Sequence, residues 1–113
     1  MEQWVENSIS FVGEIDNKVV GYANFLPKDP ETKSSTLSAL YINPEYQGKS
    51  IGTKLLNAGI EELKGISKIF TGFEKGNTVG QKFYESKGFK FVREFKEKCY
   101  GLEFTTIEMS LDV

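Results

Sequence analysis

Histidine is absent from the 113-residue chain and cysteine occurs once. Without imidazole there is no Ser-His or Cys-His catalytic pair and no histidine-built metal site, so any proton transfer runs through Tyr, Glu, Asp, Lys or water. The lone Cys99 excludes an internal disulfide, which agrees with a reducing compartment. Nothing in the sequence positions a partner for it, and a half-buried strand cysteine is the expected reading. No apolar run approaches the ~20 residues of a membrane span, and the opening MEQWVENS lacks the basic and apolar regions of a signal peptide. Lys and Arg number 14 against 16 Asp and Glu, and a formal charge of −2 gives no field that would steer the chain onto nucleic acid. The expectation is one cytoplasmic domain without nucleic acid, membrane or metal as partners.

What is present is a succession of β-rich and amphipathic runs. Residues 8–15 and 19–26 are two strand-like segments around Asp16-Asn17-Lys18, a turn of residues that tolerate positive φ, and they predict a hairpin. Residues 27–35 (PKDPETKSS) read as a polar loop, and residues 36–42 as a third strand closed by Asn43-Pro44. Ile51, Leu55, Leu56, Gly59, Ile60 and Leu63 have helical spacing, and Gly65 suits the left-handed residue that ends such a helix. A fourth strand is expected over 66–73, then a short helix from Thr78 to about Lys87 that packs Val79 and Phe83 inward and stops at Gly88. Residues 89–99 and 104–111 complete an antiparallel pair through Tyr100-Gly101. Strand, helix and strand over 36–73 form a right-handed parallel βαβ unit.

The run YQGKSIGTKLL at 46–56 sits between the third strand and the first helix, where free N–H groups and the helix dipole create an anion site. Its GKS triplet suggests a P-loop. That motif demands a glycine five residues before Gly48, where the chain has Asn43, followed by a proline that lacks an N–H. A nucleotide-binding P-loop fragment is therefore disfavoured.

Aligned on the helix instead, Gln47-Gly48-Lys49-Ser50-Ile51-Gly52 resembles the Q/R-x-x-G-x-G/A turn of the GNAT N-acetyltransferases. Leu40-Tyr41-Ile42 with Asn43-Pro44 is similar to that family's x-Y-V-x-P strand end. Asn77, Phe83-Tyr84 and Gly88-Phe89 are similar to its N-x-x-A-x-x-F-Y-x-x-x-G-F segment. The resemblance runs from about Val19 to the C-terminus. It implies a mixed α/β (α+β) fold, a mostly antiparallel sheet of about six strands with a central parallel βαβ unit and two packed helices.

The resemblance also implies acetyl coenzyme A as the cofactor. Its pyrophosphate would lie on the main-chain N–H groups of Gln47, Gly48, Lys49, Ser50, Ile51, Gly52 and Thr53, with Gly48 and Gly52 giving close approach and positive φ. Lys49 is either an added point charge or an exposed turn lysine. Pantetheine would pair with the main chain near Tyr41 and Ile42, where the third and fourth strands splay, and would meet Asn77 and Phe83. Asn77 also suits a helix N-cap. Tyr84 is the candidate catalytic acid, because a phenol with a pKa of ~10 stays protonated and can give a proton to a departing thiolate. For the base, many family members use a glutamate on the strand before the turn. Thr36 and Ser38 occupy the comparable positions, leaving Glu74, more weakly Glu14, or a water relay.

Three departures from the family's pattern stand out. Ser50 replaces a glycine, so it either carries a penalty of roughly 1 kcal/mol for positive φ or caps the helix with its hydroxyl. Gly80 replaces an alanine. The stretch before the first hairpin is shorter than the strand and two helices with which family members begin, so the acceptor wall is open, comes from a second subunit in a homodimer, or is missing. Trp4 and Val5 are candidates to cover an edge or interface. The expected function is transfer of acetyl from acetyl-CoA to a primary amine of a small molecule (polyamine-like or amino-acid-like) or a peptide, by direct attack in a ternary complex. The other reading is a non-catalytic coenzyme A-binding or interaction module of the same fold.

Overall fold

The structure, a computed structural model, describes residues 8–48 and 50–113. Trp4, Val5 and Lys49 lie outside those residues. Strands β1 (Ile9–Ile15) and β2 (Lys18–Phe25) form the first hairpin, followed by β3 (Ser34–Ile42), helix α1 (Ile51–Glu62), β4 (Lys68–Glu74), helix α2 (Thr78–Ser86), β5 (Lys90–Cys99) and β6 (Leu102–Asp112). They build one six-stranded sheet in the order β1-β2-β3-β4-β6-β5. Only β3 and β4 run parallel, joined through α1, and every other neighbouring pair is antiparallel. This is the mixed, mostly antiparallel sheet with a central βαβ unit and two helices.

The turns follow from residue chemistry. Asp16 and Asn17 both take positive φ (52° and 65°), so the first hairpin is a two-residue turn and Lys18 already belongs to β2. Gly88 follows the C-cap of α2 with φ of 97°, whereas α1 stops at Glu62 with Leu63 as its C-cap, short of the expected Lys64, and Gly65 (φ of 82°) lies in the turn beyond it. Other boundaries move because tertiary partners outweigh composition. Ser34 and Ser35 read as loop, yet they pair with Lys68 and Ile69, and the Ser35 hydroxyl donates to the Leu26 carbonyl at 2.7 Å. Strand β4 accordingly starts at Lys68, and β6 extends back to Leu102.

The core lies between the sheet and the two helices. Phe25 and Ile69 are fully buried, surrounded by Leu37, Leu55, Leu56, Leu63, Phe73, Phe89 and Met109. Helix α1 faces the β1–β3 side with Ile51, Leu55, Leu56 and Gly59, as its spacing requires. Helix α2 behaves differently from the expectation of an inward Val79: Val79 is 65% exposed, and Tyr84 is the buried residue. The first turn of α2 overhangs the cleft described below, so Val79 borders open space while the next turns meet strand side chains. Cys99 is exposed, not half-buried, because it flanks the turn at the tip of the β5–β6 hairpin.

Gly59 sets the distance between α1 and β2. A Cβ there would overlap the buried Phe25 ring, so the ring or the helix would have to shift. Gly59→Ala is expected to lose about 1–3 kcal/mol of stability in urea unfolding, despite the higher helix propensity of alanine.

Candidate active site

The site begins where two parallel strands separate. Strands β3 and β4 pair only from Ser34↔Lys68 to Leu37↔Thr71. Beyond Leu37, β3 follows β2 as far as Ile42↔Gly21, while β4 stays with β6 as far as Glu74↔Thr106. The register between β2 and β3 slips at this point, Asn24 facing Ala39 and Phe25 facing Leu37, which leaves Ser38 as the extra residue of a bulge. A bulge bends its strand and adds twist, so β3 turns toward β2 and away from β4. Ser38 holds the bend: its Oγ lies 2.6 Å from Asn24 Oδ1 and 3.1 Å from the Asn24 carbonyl. The Thr71 hydroxyl donates to the Leu37 carbonyl at 3.2 Å and pins the apex of the fork.

The fork opens into a cleft of about 1050 Å³, large enough for a cofactor. One wall is the β4-facing edge of β3, with Tyr41 and Ile42 near its end, and the other is β4 from Thr71 to Glu74. The cleft reaches Gln47, Gly48, Ser50, Ile51, Gly52 and Thr53 at the start of α1, and Asn77, Phe83 and Tyr84 on the α2 side. Thus the fork brings together the described motif residues, Glu74 and Tyr84, but not Glu14. Lys49 is outside the described residues.

The turn into α1 is built as a main-chain donor site. Lys54 makes the first helical bond, to the Ser50 carbonyl at 3.0 Å, so the N–H groups of Ile51, Gly52 and Thr53 precede the helical ladder. Gly48 has φ of 82°, and no atom lies within 4 Å of where its Cβ would be, so this backbone faces open space. Ser50 takes φ of 64° and its side chain makes no capping hydrogen bond. Of its two expected roles the left-handed conformation is the one adopted, at a cost of about 1–2 kcal/mol that glycine would not incur. Gly52 corrects another expectation. It is helical, and a Cβ there would fall 2.9 Å from Phe83 Cε1, so its small size lets α1 dock on α2.

Asn77 lies three residues beyond β4 and caps α2, its Oδ1 accepting from the Gly80 N–H at 3.0 Å. That bond leaves Nδ2 as the free donor of the amide. Gly80 makes room for it, because a Cβ at that position would come within 2.8 Å of Nδ2. Glycine in place of alanine therefore accompanies the Asn77 cap.

Tyr84 sits in an aromatic nest at the base of the fork. Its ring stacks on Phe73 (centroids 5.6 Å apart) and meets Phe83 and Phe89 edge-on at 5.4 and 5.2 Å. Burial pushes its phenol above the ordinary value of 10.0, partly countered by the Thr71 side chain beside it. The group is therefore a neutral proton donor throughout the physiological range. Glu74 ends β4 on the cleft wall and is exposed, open to water and to a ligand. Glu14 is elsewhere, bordering a separate pocket of about 270 Å³ between β1 and α1 with Lys54, and it does not reach the fork. Thr36 pairs opposite Phe70 below the fork, whereas Ser38 lines it. The structural roles of Ser38, Thr71 and Phe73 had no motif to announce them, although alternation of Ile69, Thr71 and Phe73 marks one buried strand face.

Two outcomes follow from this geometry. Ser50→Gly should leave stability unchanged or raise it by up to about 1 kcal/mol, whereas Ser50→Val should lower it by more than about 1 kcal/mol, in chemical unfolding. Because the fold favours the neutral phenol, the Tyr84 contribution is complete below pH ~10, the unfolded tyrosine value, and is lost as pH rises through the higher folded value. Thermal unfolding from pH 8 to 11 should show wild type losing stability above pH ~10 more steeply than Tyr84→Phe.

Comparison with known proteins agrees with this architecture. A sequence profile described as the acetyltransferase (GNAT) family matches residues 1–89. The [ribosomal protein bS18]-alanine N-acetyltransferase of Haemophilus ducreyi is 39% identical over 60 residues, covering 51% of this chain and 41% of that protein. The L-amino acid N-acyltransferase MnaT of Escherichia coli is 28% identical over 109 residues, covering 89% of this chain and 63% of that one. The chain thus spans less than two thirds of the length of these curated relatives. The solved structure of yncA from Salmonella typhimurium with its cofactor acetyl-CoA superposes with a TM-score of 0.76 at 25% identity, over 94% of this chain and 65% of that one. With a profile match over most of its length and the forked sheet beneath it, the chain belongs to the acetyltransferase (GNAT) family.

Proposed function

We propose that this chain binds acetyl coenzyme A in the fork and transfers the acetyl group to the α-amino group of an amino acid or a peptide. The observation that carries the reading is the alignment, along one cleft, of an unpaired strand edge, a main-chain anion site and a buried neutral phenol. The turn and α1 N-terminus, with Gln47, Gly48 and Ser50 to Thr53 lining the cleft, suit the pyrophosphate. The free edge of β3 at Tyr41 and Ile42 suits the amides of pantetheine, as does the Asn77 Nδ2, while Phe83 provides apolar wall.

When bound, acetyl-CoA supplies an activated thioester and a thiol leaving group with a pKa of about 8.5. The chain's own residues manage the protons. Tyr84 donates from its phenol oxygen to the leaving sulfur, and burial keeps that proton in place until it is needed. Glu74, or water held at its carboxylate, takes the proton released by the attacking amine. The curated relatives support the acceptor class, since their names specify an alanine of a ribosomal protein and an L-amino acid.

In a thermal-shift assay acetyl-CoA should raise the melting temperature and ATP should not; stabilisation by ATP alone would overturn the assignment. Thiol release should appear with L-amino acids or peptides having a free N-terminus, ahead of polyamines. Tyr84→Phe should lower kcat by ~10²-fold or more with little change in the KM for acetyl-CoA. Stabilisation by acetyl-CoA without thiol release for any amine would indicate the non-catalytic coenzyme A-binding module instead.

A further inference from the structure

We propose that the outer edge of β5 is a dimer interface, on which a second copy of this chain pairs antiparallel with its own β5, centred on Phe95. Strand β5 ends the sheet, and no strand lies beyond it among the described residues. Every residue of β5 except Phe95 is exposed, although the strand is ten residues long and carries Phe91, Val92 and Phe95. An edge of that length is a template for another strand.

The main chain presents its free groups in a usable pattern. Tyr100 and Gly101 have φ of 52° and 76°, a two-residue turn, so the flanking pair Cys99↔Leu102 exchanges both hydrogen bonds and the pattern alternates from there. Lys96↔Thr105 is then a pair whose N–H and C=O groups point away from one another. The Thr105 carbonyl confirms this, accepting from the Lys75 N–H at 2.8 Å on the β4 side. Glu94, Lys96 and Lys98 therefore turn their N–H and C=O groups to the outer edge.

The side chains along this edge read as a charge palindrome. Centring the pair on Phe95 sets Glu94 opposite the partner's Lys96 and Arg93 opposite the partner's Glu97, each occurring twice by symmetry. Both rows of side chains are served, because Glu94 and Lys96 project from one face of the sheet and Arg93, Phe95 and Glu97 from the other. The same centring brings Glu94 and the partner's Lys96 together as a hydrogen-bonded backbone pair. Neighbouring registers are poorer. A one-residue shift sets Arg93 opposite Lys96 in one direction or Glu94 opposite Glu97 in the other; a two-residue shift puts Glu94 on Glu94, or Lys96 on Lys96 with Glu94 opposite Lys98 and no partner for Arg93 or Glu97.

Charges on an edge strand ordinarily oppose pairing. Here they rank the Phe95-centred register, in which Glu94, Lys96, Arg93 and Glu97 all find opposite charges, above its neighbours. Intrachain ties hold the side chains along the strand, with Arg93 Nε 3.1 Å from Glu108 Oε1 and its guanidinium over the Phe95 ring, Glu94 bonded to Lys75, and Lys96 3.5 Å from Glu103. The centre of the interface is then Phe95 against the partner's Phe95, bracketed by charge pairs.

The test is sedimentation equilibrium of the full chain over a wide concentration range, with circular dichroism to confirm that each variant is folded. Wild type should show a reversible monomer–dimer equilibrium. Lys96→Glu, which sets like charges opposite one another twice, should weaken the dimer by about tenfold or more. The double variant Glu94→Lys/Lys96→Glu restores opposite charges and should recover dimerisation, as should Arg93→Glu/Glu97→Arg relative to Arg93→Glu. A monomer at every concentration, a dimer indifferent to Lys96→Glu, or folded double variants that stay as weak as the single ones would each overturn the proposal. None of these residues lines the cleft, so the outcome is separate from that of the acetyl-CoA assays.

Discussion

Everything in this structure depends on one interrupted interaction, the parallel pairing of β3 with β4, which ends at Leu37 and Thr71. A sheet of this size ordinarily gains by continuing its ladder. Here each strand keeps its other partner instead, and the extra residue Ser38 makes the divergence permanent by bending β3 toward β2. The sheet becomes two halves joined at an apex. Helix α1 packs on β1, β2 and β3, α2 sets Tyr84 against Phe73 of β4, and Gly52 leaves room for the Phe83 ring between the two helices. Continued pairing would leave a well-formed sheet and no cleft.

The same interruption concentrates the chemistry. Both helices start at the carboxyl ends of the strands that diverge, so their N-termini border the opening, as ligand sites in open α/β sheets do. The Tyr84 phenol lies beside Thr71, the last paired residue, within a ring of Phe73, Phe83 and Phe89. Desolvation there keeps it protonated. Left-handed backbone at Gly48 and Ser50 sits in the turn that presents free N–H groups, and the strain at serine falls at the proposed ligand-binding turn.

Much of this was legible in residue order. The helix periodicity of 51–63, the Asp16-Asn17 and Tyr100-Gly101 turns, and the glycines after each helix are local signals, and local geometry satisfies them. The turn at 47–52 and the spacing of Asn77 and Tyr84 located the cleft because motif residues sit at fixed offsets on defined elements. Other residues were misread because their roles depend on partners distant in the chain. Gly52 suits positive φ by its place in the motif, yet it is helical and its missing Cβ makes room for Phe83, thirty-one positions away. Val79 fits an inward stripe by spacing alone, but that turn of α2 borders the cleft and leaves it exposed. Glu14 was a carboxylate in search of a site, and the sheet places it on the far side of α1. Ser34 and Ser35, polar by composition, became strand because β4 offered them partners.

The sequence by itself determined the element types, the turns, the family's motif spacing and the ligand chemistry available to a chain without histidine. These properties are set within a few residues of the chain, by φ preferences, apolar periodicity and side-chain functional groups. Only the tertiary structure decided where β3 leaves β4, which glycine serves packing and which serves the turn, how far Tyr84 is desolvated, and which carboxylate reaches the cleft. Those outcomes depend on what lies opposite a residue across a sheet or between helices, and no local stretch of sequence contains that partner.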